Sequence, residues 1–402
     1  MSYGEEGAQS RPFEIPDRRL SDRVQYFPES VIREMTRLSN TYGAINLSQG
    51  FPDFDPPQEI IGAVKRALDG GYNQYSTTWG AEDFRLAIAE SFHRFQGMSV
   101  DPDENVVVTC GATEAMMAAM LSLVNPGDEV IIFEPFYENY GPDSIVSGAS
   151  PTFVPMEWSD FAIDEERLKE AFGHRTKAII LNTPNNPTGK VFDPGELRLI
   201  ADLCEDHDVV CVSDEIYEHI VYDGRKHVSI ATQGSMWERA VTINSLSKTF
   251  SVTGWRLGYA VASETLTAAI RRTHDFLTVG APHPLQIAGA HALRMPDSYF
   301  EGLRKDYAER RELLFESLHS VGFRCVKPSG AYYIMADITP LGFDDDVEFT
   351  QYLVKEIGVA VVPGSSFYSR PEEGRHIVRF AFPKRMETLE TAARRLEKLR
   401  AR

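Results

Sequence analysis

Cysteine is scarce in this chain, which has 4 among 402 residues: Cys110, Cys204, Cys211 and Cys325. They form no C-x-x-C pair and none of the spacings typical of zinc sites. This excludes a disulfide-stabilised scaffold and a zinc module, because both need more cysteines in closer groups. The sequence therefore predicts reduced thiols in the core and no metal site.

Long apolar runs and excess positive charge are also missing. No stretch reaches the roughly 18 apolar residues that suggest a membrane-spanning helix. The first 19 residues are polar and lack the apolar centre of a signal peptide. Basic residues number 41 against 59 acidic ones, which gives a net charge of −18. These features argue against nucleic acid and membranes as partners and predict a cytoplasmic protein.

The composition is that of a globular protein, with 43% hydrophobic and 25% charged residues. The length predicts two or three domains. Strand-like apolar runs alternate with segments of helical period, which indicates an α/β fold with a parallel sheet and helices on both faces. Strands are predicted at 106–109, 129–134, 152–156, 178–181, 209–212 and 240–244. A composition shift after Arg271 introduces a smaller α/β unit.

Polar clusters follow five of these strands, at 111–113, 135–137, 182–189, 214–217 and 245–248. Ligands bind at the carboxyl ends of strands in such folds, so this edge is the predicted site. The turn after the first strand leads into a helix, and such a junction can seat a phosphate. It is not G-x-G-x-x-G, which counts against a dinucleotide-binding fold.

The stretch 245–259, which reads SLSKTFSVTGWRLGY, carries the strongest chemical signal. A lysine amine such as Lys248 can form a Schiff base, and Ser245, Ser247 and Arg256 together make a phosphate grip. Pyridoxal phosphate carries both an aldehyde and a phosphate. An acyl-enzyme with S-x-x-K is the alternative, but it also needs S-D-N and K-T-G motifs, and this chain has neither.

Pyridoxal phosphate also needs a carboxylate for its pyridine nitrogen and a clamp for its ring. Asp214 ends an apolar strand, where a carboxylate needs a cationic partner. Tyr217 and Asn186 are candidates for bonding the phenolic oxygen of the ring, and Tyr137 for stacking on its face. Each also has a structural interpretation: a helix cap, a core tyrosine or a turn residue.

Three segments, NTPNNPTG at 182–189, SDEIY at 213–217 and S-x-SK…GWRLGY at 245–259, together resemble the class I/II aminotransferases. These are fold-type I pyridoxal phosphate enzymes of the aspartate aminotransferase superfamily. The resemblance runs from about residue 26 to the C-terminus. The segments QGFPDF at 49–54 and NQY at 73–75 are similar to the branch that holds kynurenine, glutamine and methionine aminotransferases.

The resemblance implies a role for each matched residue. Lys248 would bond to the cofactor and shuttle a proton, Asp214 would pair with the pyridine nitrogen, and Tyr217 and Asn186 would bond the phenolic oxygen. The phosphate would be held by Ala112, Thr113, Ser245, Ser247, Arg256 and, from the other subunit of a homodimer, Tyr75.

The substrate would be held at a different set of positions. Arg379 would clamp the α-carboxylate, with Asn182 beside it, and Asn186 and Gly50 are further candidate contacts. Gly50 lies in the loop 46–54, which is either a substrate-contact loop or a purely structural turn.

The resemblance also predicts the domain plan and the reaction. We expect an N-terminal arm at 1–25, a segment at 26–50 that joins the small domain, a large cofactor-binding domain at 51–290 and a small domain at 291–402. The reaction would be ping-pong transamination between an L-amino acid and a 2-oxo acid such as 2-oxoglutarate.

One departure bears on the substrate. Aspartate-specific members carry a second arginine in a segment that we align near 280–284, and this chain reads GAPHP there, with His283 as the candidate polar group. Strict aspartate specificity is therefore not expected. Phe27, Phe51, Phe367 and Tyr368 favour an aromatic, neutral or sulfur-containing amino acid.

Two alternatives remain from sequence. The same site chemistry supports β- or γ-elimination, as in a C–S lyase, or ring closure, as in aminocyclopropane-carboxylate synthases. The second alternative is a regulator with an inactive aminotransferase domain. It would need a DNA-binding module before the domain, and the roughly 25 residues before the match are too few for one.

Overall fold

The computed structural model describes residues 19, 21, 23 and 30–401. The arm predicted at 1–25, apart from those three residues, and Phe27 lie outside the described part. The described helices are α1 (Val31–Tyr42), α2 (Gln58–Asp69), α3 (Glu82–Gln96), α4 (Ala112–Leu123), α5 (Tyr140–Val146), α6 (Glu165–Ala171), α7 (Pro194–His207), α8 (Leu246–Thr249), α9 (Glu264–Leu277), α10 (His283–Leu293), α11 (Asp297–Val321), α12 (Asp346–Tyr352) and α13 (Met386–Leu396). The described strands are β1 (Ile45–Asn46), β2 (Val106–Thr109), β3 (Glu129–Glu134), β4 (Ser150–Pro155), β5 (Thr176–Asn182), β6 (Val210–Asp214), β7 (Ala240–Ser245), β8 (Gly258–Ala262), β9 (Arg324–Cys325), β10 (Tyr333–Asp337), β11 (Val359–Ala360), β12 (Val362–Pro363) and β13 (Ile377–Ala381).

The main sheet has seven strands in the order β2-β8-β7-β6-β5-β3-β4. Neighbours from β7 to β4 pair in parallel, whereas β8 runs antiparallel to both β2 and β7. The predicted mostly parallel α/β sheet is confirmed, with β8 as its one reversed strand within the described chain.

The strands are apolar on both faces because helices cover both. In β3, Val130 and Ile132 belong to a buried cluster with residues of α4, while Ile131 and Phe133 belong to another with residues of α7. Alternate side chains thus enter opposite layers, as expected for a strand buried on both sides.

The carboxyl ends of three strands meet at one edge of this sheet. Asn182 of β5 is in register with Asp214 of β6, and Ser245 of β7 with Gly258 of β8. The polar residues that follow these strands in sequence therefore lie together in space.

A second, antiparallel sheet has the order β12-β13-β10-β9, and β1 pairs in parallel with β11. Helices α11, α12 and α13 pack with these strands in one core, which also contains Leu47 from the N-terminal segment. The short strand β1 thus joins the first described part of the chain to its last 100 or so residues.

Several element bounds differ from prediction. The first helix, predicted at 28–39, is found at Val31–Tyr42, and it ends where Gly43 takes a left-handed conformation. Helix α4 begins at Ala112, directly after Gly111, and not at 116 as predicted. Helices α5 and α9 were not predicted.

All four cysteines are free; Cys204 and Cys211 are buried, while Cys110 and Cys325 are partly exposed. The prediction of unpaired thiols is confirmed, and that of a core position holds for two of them. Among the described residues, no helix combines the length and the hydrophobicity needed to cross a membrane.

Helix α7 offers a test of local stability. Asp193 Oδ1 accepts hydrogen bonds from the amides of Gly195 (2.7 Å) and Glu196 (3.0 Å), and Glu196 Oε2 accepts one from the Asp193 amide. Because this capping box satisfies free amides, Asp193→Ala should lower the free energy of unfolding by about 1 kcal/mol. Urea titration measures this change in unfolding free energy, and Asp202→Ala, at an exposed position of the same helix, is the control. Equal losses in both variants would contradict this role.

Candidate active site

A cavity of about 490 Å³ opens at the strand edge formed by β5, β6 and β7. The predicted site residues that line it are Gly50, Ala112, Thr113, Tyr137, Asn182, Asn186, Asp214, Tyr217, Ser245, Ser247, Lys248, Arg256 and Arg379. Tyr75 is the predicted residue outside it, with 82% of its surface exposed. The structure thus gathers residues that are more than 300 positions apart in sequence.

Lys248 lies on the single-turn helix α8, which starts where Ser245 Oγ accepts a hydrogen bond from the Ser247 amide (3.0 Å). Its Nζ donates to the carbonyl of Gly50 (3.2 Å). Loss of water around the amine lowers the pKa of Lys248 to about 8, with Arg256 and Arg379 adding to the effect and Asp214 opposing it. The lysine therefore has a sizeable neutral, nucleophilic fraction near neutral pH.

Asp214 ends β6 and is buried. Its Oδ2 accepts a hydrogen bond from the hydroxyl of Tyr140 (2.8 Å), and its Oδ1 accepts one from the Ile216 amide (3.3 Å). Burial raises the pKa of Asp214 to about 6, although these bonds and Lys248 work in the other direction. A cationic ring nitrogen beside it would restore the charged form, since an opposite charge favours the carboxylate.

Arg379 lies in the middle of β13 and is fully buried. Its Nη1 donates to Asn186 Oδ1 (2.7 Å) and its Nη2 donates to the carbonyl of Ser48 (2.7 Å). The guanidinium carbon is 4.3 Å from the ring centre of Tyr333 and 4.8 Å from that of Phe367. Its Nε has no partner in the described chain. A buried guanidinium with an unpaired N–H is suited to binding a carboxylate.

The start of α4 forms a cradle with Arg256. Gly111 has φ +86°, and a Cβ there would collide with the guanidinium of Arg256. The φ calls for glycine, because side chains rarely adopt it, and a Cβ would in addition push the Arg256 guanidinium aside. The amides of Ala112 and Thr113 begin the helix, where the dipole is positive, and Ser245 and Ser247 line the same cavity. This arrangement suits a phosphate group.

Tyrosines close the inner wall of the cavity. The hydroxyls of Tyr217 and Tyr333 are 2.9 Å apart, and burial raises the pKa of both, so the two hydroxyls stay protonated. Tyr137 packs edge-on against Tyr140 with ring centres 5.7 Å apart. Tyr140 and Tyr333 were missed from sequence, although Tyr140 comes only three residues after the polar cluster at 135–137.

Asn182 lines the cavity, but its side chain bonds to the neighbouring backbone. Its Nδ2 donates to the carbonyl of Asp214 (2.9 Å), and its Oδ1 accepts from the Asn186 amide (2.7 Å). It was expected beside Arg379, but it is Asn186 that contacts the guanidinium. Asn182 therefore positions the loop that carries Asn186.

Of the four described residues predicted for the substrate side-chain pocket, the structure places Phe51 in the cavity lining and the others outside it. His283 does not line the cavity; its Nδ1 lies 3.0 Å from the carbonyl of Gln74, and its ring packs edge-on to Tyr72. Phe51 lines the cavity, and Phe367 lies behind it against Arg379. Tyr368 packs against a large-sheet core cluster.

Three buried groups beneath the site, on Glu215, Glu218 and His227, have atoms within 4.8 Å of one another. Glu215 accepts from Ser213, Ser229 and His227, and Glu218 accepts from Asn244 and Gln96. Every oxygen of the two carboxylates has a protein partner, whereas Nδ1 of His227 is buried without a partner in the described chain. Because the carboxylates are satisfied by protein groups, we interpret the cluster as structural.

Comparison with known proteins identifies the family. Residues 42–396 match the family model for aminotransferase class I and II. The chain belongs to this family, and it is a pyridoxal phosphate-dependent aminotransferase that acts on amino acids and 2-oxo acids. The geometry fits the cofactor, because Lys248, Asp214 and the cradle at Gly111 face one cavity.

Similar proteins span nearly the whole chain. A probable N-succinyldiaminopimelate aminotransferase, DapC, from Mycobacterium tuberculosis is 40% identical, covering 94% of this chain and 98% of its own, and the solved structure of that enzyme from the same species has a TM-score of 0.92. Human kynurenine–oxoglutarate transaminase 1 is 37% identical, over 96% and 98% of the two chains. Methionine aminotransferase from Escherichia coli is 36% identical, over 92% and 96%. The predicted branch is confirmed, and the elimination and ring-closure alternatives are not favoured.

Asp143, which also lines the cavity, was missed from sequence. It is buried, its Oδ2 has no partner in the described chain, and burial next to Asp214 raises its pKa to about 8. Its free carboxyl in the unfolded chain ionises near 3.8. The wild-type protein should therefore lose stability as pH rises from about 4 to 8, because unfolding releases a proton there.

The variant Asp143→Asn should lack this loss. The difference in unfolding free energy between the variant and the wild type should therefore grow by several kcal/mol from pH 5 to pH 8, on the order of 1.4 kcal/mol per pKa unit. Urea unfolding of the cofactor-loaded enzymes at the two pH values measures the gain. An equal stability difference at both pH values would show that Asp143 does not titrate in this range.

Proposed function

We propose that this enzyme transfers the amino group of a neutral L-amino acid, with an aromatic, aliphatic or sulfur-containing side chain, to a 2-oxo acid such as 2-oxoglutarate by a ping-pong mechanism. The observation that carries the proposal is Arg379, a buried cation with an unpaired Nε in the same cavity as Lys248. It suits the α-carboxylate common to every amino acid and 2-oxo acid.

The roles of the site residues follow from their surroundings. Pyridoxal phosphate, when bound, withdraws electrons and makes the Cα–H bond of the substrate acidic. Asp214 would hold the ring nitrogen of the cofactor, and the neutral Nζ of Lys248 would accept the proton from the substrate Cα and hold it for return. Arg379 and Asn186 fix the substrate carboxylate and thereby direct Cα toward Lys248.

The preference for neutral donors rests on the apolar residues at the entrance. Ile32 and Phe51 line the cavity from the N-terminal segment. Phe51 is 40% exposed, so a substrate side chain that covers it would bury apolar surface. Two of the relatives are named for kynurenine and methionine, in line with this preference, whereas the probable DapC is named for N-succinyldiaminopimelate.

The proposal is tested by adding single L-amino acids to the purified, cofactor-loaded enzyme without any 2-oxo acid. A true donor should yield one 2-oxo acid per active site and change the cofactor absorbance, with no release of ammonia. Lys248→Ala should show neither product nor covalent retention of the cofactor after borohydride reduction. Continuous release of ammonia would identify a lyase and contradict the proposal.

We infer further that the enzyme is a homodimer in which Tyr75 reaches the partner's phosphate site. Tyr75 is exposed in the single chain, and its loop is held to α10 by the contact between Gln74 and His283. The domain limits at 50/51 and 290/291, and a cytoplasmic location in line with four free thiols, remain predictions.

Tyr75→Phe should raise the dissociation constant of the cofactor about tenfold, because one hydrogen bond to a charged phosphate would be lost. Tyr72→Phe on the same loop is the matched control. Sedimentation should give twice the 45.1 kDa mass of one chain. A monomer, or equal cofactor affinity in both variants, would refute the shared site.

A further inference from the structure

One cation at the cavity has no task in the proposed reaction. Four cations line the cavity: Lys248, Arg256, Arg379 and Arg33 of α1. The first three have hydrogen-bond partners within the protein. The guanidinium of Arg33 makes no hydrogen bond or ion pair with any described residue, and it is exposed to solvent. An unpaired cation at the entrance of a substrate cavity points to an anionic group on the substrate.

The helix that carries Arg33 is held over the cavity. Ser30 Oγ donates to Glu138 Oε1 (2.6 Å) on one side, and Thr36 Oγ1 donates to Gln49 Oε1 (2.8 Å) on the other. Glu138 and Gln49 both line the cavity. The backbone of Arg33 lies between these two attachments, so its position relative to the cavity is fixed.

The local charges favour an anion at this point. Arg33 is the third residue of α1, where the helix dipole is positive, and Ser30 makes no side-chain cap bond. A cation in the first turn is unfavourable without a negative partner. Glu34 in the same turn and Glu138 at the cavity edge are acids near this point, but neither forms an ion pair with Arg33 in the described chain. A substrate carboxylate would therefore meet a guanidinium that is free to pair with it.

We propose that Arg33 binds the distal carboxylate of a dicarboxylic 2-oxo acid, such as 2-oxoglutarate, while Arg379 binds its α-carboxylate. This rests on the proposed function and names the feature of the acceptor that the enzyme recognises. Because Arg33 is exposed, an apolar donor leaves its guanidinium in water and causes no desolvation penalty. One cavity thus serves an uncharged donor and a dicarboxylic acceptor.

The test compares two acceptors, 2-oxoglutarate and the monocarboxylic 4-methyl-2-oxopentanoate, with one fixed donor. Arg33→Gln should lower kcat/KM for 2-oxoglutarate about tenfold, the loss of one charge-assisted contact, and leave the monocarboxylic acid within about twofold. Arg33→Lys should restore part of the loss. Arg37→Gln removes the same charge one turn further along α1, outside the cavity lining, and should leave both values unchanged.

A binding measurement separates recognition from turnover. Glutarate should inhibit the wild-type enzyme more strongly than butyrate, and Arg33→Gln should remove most of that difference. Equal losses for both acceptors, or none, would overturn the assignment of Arg33. If the wild-type enzyme used neither acceptor, the proposed function itself would fail, whereas a preference for 2-oxoglutarate that survives Arg33→Gln would refute the Arg33 subsite alone.

Discussion

The structure of the site depends on keeping charged groups out of water at one edge of a parallel sheet. Asp214 is placed there by the end of β6 and Lys248 by the turn after β7. Burial favours the neutral form of each group, so it lowers the pKa of Lys248 and raises the pKa of Asp214. A cationic ring nitrogen beside Asp214 would favour the charged carboxylate and so reverse the shift of that group.

Arg379 is a third buried charged group, and it connects the two sheets. Its strand belongs to the small antiparallel sheet, its Nη1 bonds Asn186 from the loop after β5, and its Nη2 bonds Ser48 from the N-terminal segment. The guanidinium therefore fixes three separate parts of the chain around one point. The ring of Tyr333 against its face adds a contact that a lysine could not make as well.

The motif residues were predictable because their signals are local. Lys248, Asp214 and Asn186 each stand in a short run of polar residues after an apolar strand, and parallel strands bring such runs together. Arg379 has no such run and was found through the family resemblance. Tyr333 and Asp143 escaped notice because nothing near them in sequence indicates a cavity. Their place is set by the packing of distant elements.

Prediction of the fold was limited in the same way, by contacts between elements that are distant in sequence. Helix α9 was missed because its buried residues include Thr267 and His274, which weaken the apolar period, and His274 is satisfied by Glu114 from α4. The reversed direction of β8 could not be read from its apolar run either. An apolar strand pattern is the same in both directions, so only its pairing with β2 and β7 decides the orientation.

The hydrogen bond from Arg379 to the carbonyl of Ser48 joins residues 331 positions apart. The cradle at Gly111, Asp214, Lys248 and Arg256 all lie in the middle of the chain. During synthesis on the ribosome, which proceeds from the N-terminus, the groups that face the cofactor emerge well before the arginine that faces the substrate. The carboxylate clamp is thus the last part of the site to be assembled, and a chain stopped before β13 would carry the cofactor residues without it.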